Sequence, residues 1–250
     1  MRRIYLFLLI LLPVLSQAGN LKTIRFPSLD KLLITADLYA THKSNTPFII
    51  LFHRAGWSRG EYREIAPKLN TLGFNCLAVD QRSGNEINGV VNETAARARK
   101  QKKGTTYLDA VQDLKAAILY VKKNLAKGKI IVWGSSYSAS LVLVIGGDFK
   151  GTISAVVSFS PGEYFKKFGK SATFVQKAVN NLNCPVFITS AKNEHDYWKD
   201  IYKAIPSKQK RYFLPTSGGV HGSETLWSST KENQEYWRAL KDFLGQFLIK

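Results

Sequence analysis

A serine at the end of a predicted strand has the surroundings that nucleophilic catalysis requires. The apolar run Lys129–Trp133 predicts a strand, and a cluster of small and hydroxyl-bearing residues follows it directly. A serine on a sharp strand-to-helix turn exposes its hydroxyl, and such a turn needs small residues two positions before and after it. Ser136, between Gly134 and Ser138, meets that requirement, whereas Ser135 would lie between two aromatic residues. Ser136 is therefore the candidate nucleophile, although serine and glycine are also common at helix N-termini.

One histidine lies where a serine nucleophile of this layout needs its base, on a loop after the last strand. The chain has four histidines: His42, His53, His195 and His221. His221 follows the final predicted strand, Arg211–Leu214, in a glycine-rich segment. We expect His221 to be the base and activity to rise with pH through roughly 6 to 7.5 as it loses its proton. His42, in a polar turn, is expected to be inert.

Two acidic residues lie between this serine and this histidine and follow another predicted strand, Pro185–Ser190. A carboxylate in that place fixes the tautomer of the imidazole and stabilises its cation. Glu194 is nearer the strand end and is the favoured triad acid, with Asp196 as the alternative. His195 between them is interpreted as a neighbour rather than as the base.

A short loop is expected to supply part of the oxyanion hole. A tetrahedral intermediate needs one N–H from the residue after the nucleophile and one from the loop after the third strand. The backbone of Tyr137 offers the first donor, and Ala55, just past the strand Phe48–Phe52, offers the second. His53 at the start of this loop is interpreted as a structural anchor.

The rest of the chain alternates predicted strands and helices, which would bring these residues to one edge of a sheet. Leu21–Phe26 and Leu32–Leu38 are typical of a hairpin, and continuous apolar runs favour strands that are buried on both faces. The other predicted strands are Phe48–Phe52, Cys76–Val79, Lys129–Trp133, Ala155–Phe159, Pro185–Ser190 and Arg211–Leu214, and helices are predicted over Glu61–Leu72, Thr106–Leu125, from about Ser136, and over Lys231–Leu248. The polar stretch Ser83–Thr105 is predicted to be a surface loop without a site. The alternation predicts an α/β fold with a doubly wound, mostly parallel, eight-stranded sheet and helices on both faces.

With these residues in view, the sequence resembles the α/β-hydrolase superfamily, and within it the lidless dienelactone-hydrolase-like group. Four segments carry the resemblance: His53–Tyr62, Gly134–Ser138, Ser158–Tyr164 and Gly219–Gly222. The chain departs from the usual pattern with Arg54 and Ser138 in place of glycines and Glu194 in place of the commoner aspartate. It also has a serine where the dienelactone hydrolases use a cysteine nucleophile.

The resemblance implies a serine hydrolase that cleaves carboxylic esters through an acyl-enzyme, with Ser136, His221 and Glu194 as its triad. Acyl transfer, thioester hydrolysis or peptide hydrolysis on the same triad, or a non-catalytic envelope binding protein of this fold, are the alternatives. About two dozen residues separate Pro161 from Pro185, too few for a large lid, so small or soluble esters are expected. Arg54, Trp57 and Tyr164 are the candidate substrate-binding side chains, and Arg54 is expected to suit an acidic substrate group. No cofactor is expected.

The N-terminus has the composition of a signal peptide. A basic pair at positions 2 and 3 precedes an apolar run from Ile4 to Leu15, and Ser16-Gln17-Ala18 has small residues where a signal peptidase cleaves. About a dozen apolar residues are fewer than the roughly 20 that span a bilayer as a helix. We expect residues 1–18 to be removed on export to the periplasm or the medium, leaving residues 19–250 as a single domain.

The remaining composition narrows the choice of partners. A formal net charge of +18 favours anionic surfaces, but the lysines are scattered and no nucleic-acid motif is present, so no nucleic-acid partner is expected. A basic soluble surface is the favoured interpretation, and loose association with an acidic envelope surface is the alternative. Cys76 and Cys184 lie on strands that the topology separates, which predicts two free thiols. No metal-binding motif is present, so no metal is expected.

Overall fold

The computed structural model describes residues 21–248 of the chain. The predicted signal peptide, residues 1–18, lies outside this range. Between residues 21 and 248, none of the helices combines the length and the hydrophobicity that crossing a bilayer requires.

Eight strands form one sheet, and two further short strands form a separate hairpin. The strands are β1 Leu21–Pro27, β2 Leu33–Tyr39, β3 Phe48–Phe52, β4 Asn75–Val79, β5 Glu86–Ile87, β6 Val90–Val91, β7 Ile130–Ser135, β8 Ile153–Phe159, β9 Val186–Thr189 and β10 Lys210–Phe213. The order across the large sheet is β1-β2-β4-β3-β7-β8-β9-β10, with β5 and β6 as the hairpin. In the large sheet β1 and β2 pair antiparallel, as do β2 and β4, and the other pairs of this sheet are parallel. The predicted doubly wound, mostly parallel eight-stranded sheet is confirmed.

Helices cover both faces of this sheet. They are α1 Ile65–Thr71, α2 Glu93–Lys100, α3 Val111–Asn124, α4 Tyr137–Gly146, α5 Phe174–Ala178, α6 His195–Ala204 and α7 Asn233–Leu244. The strands β3, β4 and β7 are buried along their whole length, because successive side chains enter opposite cores. One core packs the sheet against α3, α4, α5 and α6, and the other packs it against α1 and α7.

Two helices begin later than the sequence predicts, because side chains close turns in front of them. Instead of a helix from Glu61, the structure has a 3₁₀ turn over Arg59–Tyr62, which the Ser58 hydroxyl caps by accepting from Gly60 N–H. Instead of a helix from Thr106, the carboxylate of Asp109 accepts hydrogen bonds from the backbone and hydroxyl of Thr106. Competition of this kind from short polar side chains ends or delays helices.

The prediction of a surface loop over Ser83–Thr105 is wrong. This segment contains the β5–β6 hairpin and helix α2, which packs on β2. The Thr94 hydroxyl accepts from Thr35 N–H at 2.9 Å, and Thr94, Ala95 and Ala98 are fully buried. The helix was missed because its buried face consists of small residues set among charged ones, so it lacks the apolar stripe that marks most amphipathic helices.

The two cysteines are free thiols, as predicted. Cys76 lies on β4, and Cys184 comes just before β9. Three strands separate β4 from β9 in the sheet, which is too far for a disulfide.

A buried ion network fastens the loop after β4 to helix α3 and to the β1–β2 turn. The Arg82 side chain is 1% exposed and that of Asp113 is fully buried. Arg82 donates to Asp113 through Nε at 2.9 Å and Nη2 at 2.7 Å, and to both carboxylate oxygens of Asp30 at 2.9 and 3.0 Å. Ser28 Oγ also donates to Asp113, at 2.6 Å. Both charges are therefore compensated by several hydrogen bonds.

We predict that Asp113→Ala lowers the free energy of unfolding by about 3–5 kcal/mol, because it leaves the Arg82 charge buried with half of its partners. The matched control is Asp148→Ala, which removes an exposed ion pair with Lys115 and should change the free energy of unfolding by less than about 1 kcal/mol. Urea denaturation of both variants measures the difference. Equal losses in the two variants would contradict the role given to the network.

Candidate active site

The turn between β7 and α4 places Ser136 in a strained backbone conformation. Its φ is +61° and its ψ is −122°, values that residues with a side chain rarely adopt. A Cβ on Gly134 would lie 2.2 Å from the carbonyl oxygen of Ser138, so glycine is required there. Ser138 Oγ accepts a hydrogen bond from Ser135 N–H at 2.9 Å and donates one to the carbonyl of Phe52 at 2.7 Å. Ser138 thus braces the turn at a position where glycine is commoner.

Ser136, His221 and Glu194 form one chain of hydrogen bonds. His221 Nε2 lies 2.7 Å from Ser136 Oγ, and His221 Nδ1 lies 2.5 Å from Glu194 Oε1. The carboxylate accepts a hydrogen bond from Nδ1–H, which leaves Nε2 free to accept from the serine hydroxyl. Asp196, the alternative acid, is exposed and pairs with Lys199 at 2.7 Å. Of the two candidate acids, the structure brings Glu194 to the histidine.

Ser160, to which sequence reasoning gave no role, holds the other oxygen of the acid. It follows β8 directly and has a φ of +56°. Its Oγ donates to Glu194 Oε2 at 2.7 Å and accepts from Gly222 N–H, next to His221, at 2.8 Å. Burial raises the pKa of Glu194, but the hydrogen bonds from His221 and Ser160 outweigh burial and bring the pKa below its ordinary value. A hydroxyl residue at the carboxyl end of a central strand is the signal that was available for Ser160.

The loop after β3 lies beside the serine turn, because β3 and β7 are paired with Phe52 opposite Gly134. Ala55 belongs to this loop, and Tyr137 is the first residue of α4. The structure therefore places both expected oxyanion donors at the same edge of the sheet as Ser136. The Tyr137 side chain turns away into the core and stacks on Tyr107 at 4.5 Å between ring centroids.

His53 holds this loop from its buried side. It is fully buried, and its Nε2 accepts from Gln81 N–H at 3.2 Å and from Asn92 Nδ2 at 3.0 Å. Its Nδ1 therefore carries the proton and donates to the carbonyl of Arg54 at 2.7 Å. Burial lowers the pKa of His53 to about 4, so this imidazole is neutral near pH 7. These contacts suit a structural anchor.

The three candidate substrate-binding residues lie near the triad, but Arg54 already has a partner. Its guanidinium lies 4.2 Å from the centroid of the Trp57 ring and donates to Glu224 Oε2 at 3.2 Å. Trp57 also stacks on Trp227, with 5.4 Å between ring centroids. The Arg54 guanidinium is therefore engaged by Trp57 and Glu224 and is not free to bind an acidic group of a substrate.

Tyr164 lies closer to the nucleophile. Its hydroxyl donates to the carbonyl of Ser160 at 2.7 Å. Burial raises the pKa of Tyr164 above its ordinary value, and the nearby Ser136 hydroxyl opposes this shift. Tyr164 therefore presents a neutral phenol next to Ser136.

Glu61 is a buried carboxyl beside the site that sequence reasoning treated as part of a helix. It has no exposed surface, and its Oε2 accepts from Arg54 N–H at 2.8 Å. Its Oε1 is also buried and has no hydrogen-bond partner within the described residues. Burial raises the pKa of Glu61 to about 7, although Ser135 and Arg54 act in the opposite direction.

Across residues 21–248, no group of three or more histidine, cysteine, aspartate or glutamate side chains is placed to hold a metal ion. The site contains a hydroxyl, an imidazole and a carboxylate that are joined in that order by hydrogen bonds. Such a chain can remove the serine proton as the oxygen attacks, and can return it to a leaving group.

Comparisons with known proteins agree with the α/β-hydrolase fold. The family model for serine aminopeptidase, S33, matches residues 43–167, half of the chain. An esterase of Pyrococcus furiosus superposes with a TM-score of 0.70 at 20% identity, over 92% of this chain and 93% of that one. A dienelactone hydrolase from Anabaena variabilis superposes with a TM-score of 0.69 at 14% identity, over 92% of this chain and 99% of that one. An esterase domain from Rhodothermus marinus superposes with a TM-score of 0.62 at 12% identity, over 91% of this chain and 99% of that one. No curated protein matches the sequence.

We predict that Glu61→Gln stabilises the protein at pH 8 more than at pH 5. The folded pKa of about 7 lies above the ordinary value of 4.5, so the folded state holds the proton more tightly than the unfolded state. The associated stability is present below pH 4.5 and is lost as the pH rises through 7, whereas glutamine does not titrate. Thermal unfolding should give a Tm increase about 3–6 °C larger at pH 8 than at pH 5. The control is Glu64→Gln on the exposed side of the same segment, and an equal Tm change at both pH values in Glu61→Gln would refute the prediction.

Proposed function

Because this chain belongs to the serine aminopeptidase S33 family of α/β hydrolases, we propose that it is an exported enzyme that cleaves small carboxylic esters. The observation that carries this proposal is the continuous hydrogen-bonded chain from Ser136 through His221 to Glu194, with links of 2.7 and 2.5 Å. A surface serine without a catalytic role has no need of this arrangement.

In the first half of the reaction, Ser136 Oγ attacks the ester carbonyl carbon while His221 Nε2 takes the serine proton. Glu194 stabilises the resulting imidazolium and keeps its ring in place. The negative oxygen of the tetrahedral intermediate accepts from Ala55 N–H and Tyr137 N–H. When the intermediate collapses, the bond to the alcohol oxygen breaks and His221 gives its proton to that oxygen.

In the second half, water hydrolyses the acyl-enzyme. His221 takes a proton from the water as the water oxygen attacks the acyl carbon. The bond to Ser136 Oγ then breaks, the serine recovers its proton from His221, and the carboxylic acid leaves. The same two N–H groups stabilise the second tetrahedral intermediate.

The segment above the site supports small or water-soluble substrates. Between β8 and β9 the chain forms only the short helix α5 and two 3₁₀ turns, Lys166–Phe168 and Val179–Asn181. These elements pack against the core through Phe165, Val175 and Val179. A long acyl chain needs an apolar cover that this segment is too short to provide.

Charges around the serine favour an ester over an aminopeptidase substrate. A free amino terminus needs a carboxylate to bind its ammonium group. Glu194 is held by His221 and Ser160, and Glu224 is held by Arg54. Both groups are already engaged, and two of the structural relatives reported above are named as esterases.

Export is proposed on the sequence of residues 1–18. The basic start, the apolar run and the small residues near Ala18 match the requirements of a signal peptidase substrate. N-terminal sequencing of the protein recovered from the periplasm or medium of an expressing bacterium tests this directly. A mature chain that begins near Gly19 supports export, whereas full-length protein confined to the cytoplasm contradicts it.

We predict that the protein reacts with a fluorophosphonate probe and hydrolyses p-nitrophenyl acetate, and that Ser136→Ala abolishes both. The expected loss of kcat is at least about 10⁴-fold, as for other serine hydrolases that lose a triad member. The control is Ser171→Ala, at an exposed serine of the segment above the site, which should leave both signals intact. Folded wild-type protein that shows neither signal would favour a non-catalytic binding protein of this fold.

We also predict that Glu194→Gln lowers kcat by about 10³–10⁴-fold, because the amide cannot stabilise the imidazolium. Asp196→Asn should change kcat by less than about twofold, since the Asp196 side chain is exposed and pairs with Lys199. Steady-state kinetics on the two isosteric variants assign the triad acid. A large loss in Asp196→Asn would transfer that role to Asp196.

A further inference from the structure

We propose that Glu61 is a positioning residue for the serine hydrolase reaction, because its buried carboxyl holds the backbone of the oxyanion loop, residues 53–58, and borders Ser135, which ties β7 to the loop that carries His221. The inference rests on the proposed function and adds to it a residue that touches neither the substrate nor the triad side chains. Three contacts at one point in the structure carry it.

The first contact fixes the oxyanion loop. Glu61 Oε2 accepts from Arg54 N–H at 2.8 Å, one residue before the expected donor Ala55. The Arg54 carbonyl is held on its other side by His53 Nδ1 at 2.7 Å. Glu61 and His53 therefore clamp successive polar groups of the backbone that leads into Ala55, which restricts where the Ala55 N–H points.

The second contact reaches the histidine loop through the nucleophile strand. Ser135, the residue before the nucleophile, is fully buried, and its Oγ accepts from Ser223 N–H at 2.9 Å. Ser223 is two residues after His221, and its own Oγ accepts from Trp133 Nε1 at 2.8 Å. Ser135 thus ties the loop that carries His221 to β7.

The third contact brings the Ser135 hydroxyl next to the unpartnered oxygen of Glu61. Since Ser135 Oγ accepts from Ser223, its hydroxyl proton needs an acceptor. A Cβ on Gly222 would lie 2.5 Å from Ser135 Oγ and 3.9 Å from Glu61 Oε1, so the two groups border the same point. The Ser135 hydroxyl is close enough to lower the pKa of Glu61. Glu61 Oε1 therefore borders the Ser135 hydroxyl, although no hydrogen bond joins the two groups among the described residues.

The charged and titratable groups around Glu61 are few. Arg54 on the oxyanion loop favours the carboxylate, Glu224 on the turn after His221 opposes it, and the Tyr62 phenol is a buried neighbour whose own pKa is raised by burial. A buried carboxyl with a pKa raised to about 7 lowers the stability of the fold at neutral pH. An apolar side chain would avoid that loss, so the carboxyl is better explained by function than by stability.

The test uses the rate at which a fluorophosphonate probe labels Ser136, because labelling depends on the triad and the oxyanion hole but not on the natural substrate. Glu61→Met fills the same space without accepting hydrogen bonds. It should slow labelling and lower kcat on p-nitrophenyl acetate by about 10–100-fold, while KM changes less than about threefold. Glu61→Gln keeps an oxygen for Arg54 N–H and should recover most of the lost rate. Glu64→Gln, three residues along the same segment and exposed, is the control and should match wild type.

A double-mutant cycle with Ser135→Ala separates coupling from independent damage. If Glu61 acts partly through Ser135, the double variant Glu61→Met/Ser135→Ala should lose less than the product of the two single losses. Losses that multiply would contradict the link between the two residues. Should Glu61→Met fail to fold, the pH dependence of Glu61→Gln, whose volume and polarity are conserved, tests the inference instead.

The pH dependence supplies a signal that a purely structural residue would not give. Glutamine resembles the protonated carboxyl, so the ratio of wild-type to Glu61→Gln labelling rates should rise between pH 6 and pH 8, as the carboxyl ionises with its pKa near 7. A flat ratio, together with unchanged labelling in Glu61→Met, would overturn the inference and leave the proposed function intact. Unlabelled wild-type protein would instead overturn the proposed function.

Discussion

The positive φ of Ser136 holds the nucleophile in its exposed position, and the neighbouring groups of the site are arranged around it. A positive φ at a residue with a side chain costs of order 1–3 kcal/mol and persists only where the surroundings impose it. Here Gly134 leaves room for the turn, Ser138 braces it, and Ser136 N–H donates to the carbonyl of Phe159 on the next strand at 2.8 Å. The parallel pairing of β3, β7 and β8 holds all of these groups in register. The strain directs the Ser136 hydroxyl out of the sheet edge and toward His221.

Buried charge has two different uses in this molecule. In the network of Arg82, Asp113 and Asp30, every charged group meets an opposite charge, and the contacts join elements that are distant in sequence. In the site, Glu61 is buried with one oxygen unpartnered and with its pKa raised to about 7. The first arrangement supports the fold, whereas the second weakens it at neutral pH. Incompletely compensated buried groups of this kind concentrate at functional sites.

The sequence predicts those parts of the site that follow from the position of a residue relative to a strand. Ser136, Glu194 and His221 each lie just past the carboxyl end of a predicted strand, and parallel strands bring such ends to one edge. Ser135 was missed because a buried serine gives no pattern in sequence until its partners are known, and Ser160 was missed although its place directly after a predicted strand was a signal. Glu61 was missed because its segment has a helical pattern, whereas the structure has a 3₁₀ turn there that Ser58 caps. The segment Ser83–Thr105 was mispredicted because its buried residues are small and lie among charged ones, so its sequence looks like that of an exposed polar loop.

The central claim is that Ser136 becomes acylated with the help of His221. Rapid acid quench after mixing the protein with a slowly hydrolysed activated ester, such as p-nitrophenyl trimethylacetate, followed by peptide mass mapping, tests it most directly. We expect one added acyl group per chain, on Ser136 and not on Ser135 or Ser138, and no added group in His221→Ala. Acylation at another serine, or equal acylation of Ser136 without His221, would contradict the assignment of nucleophile and base.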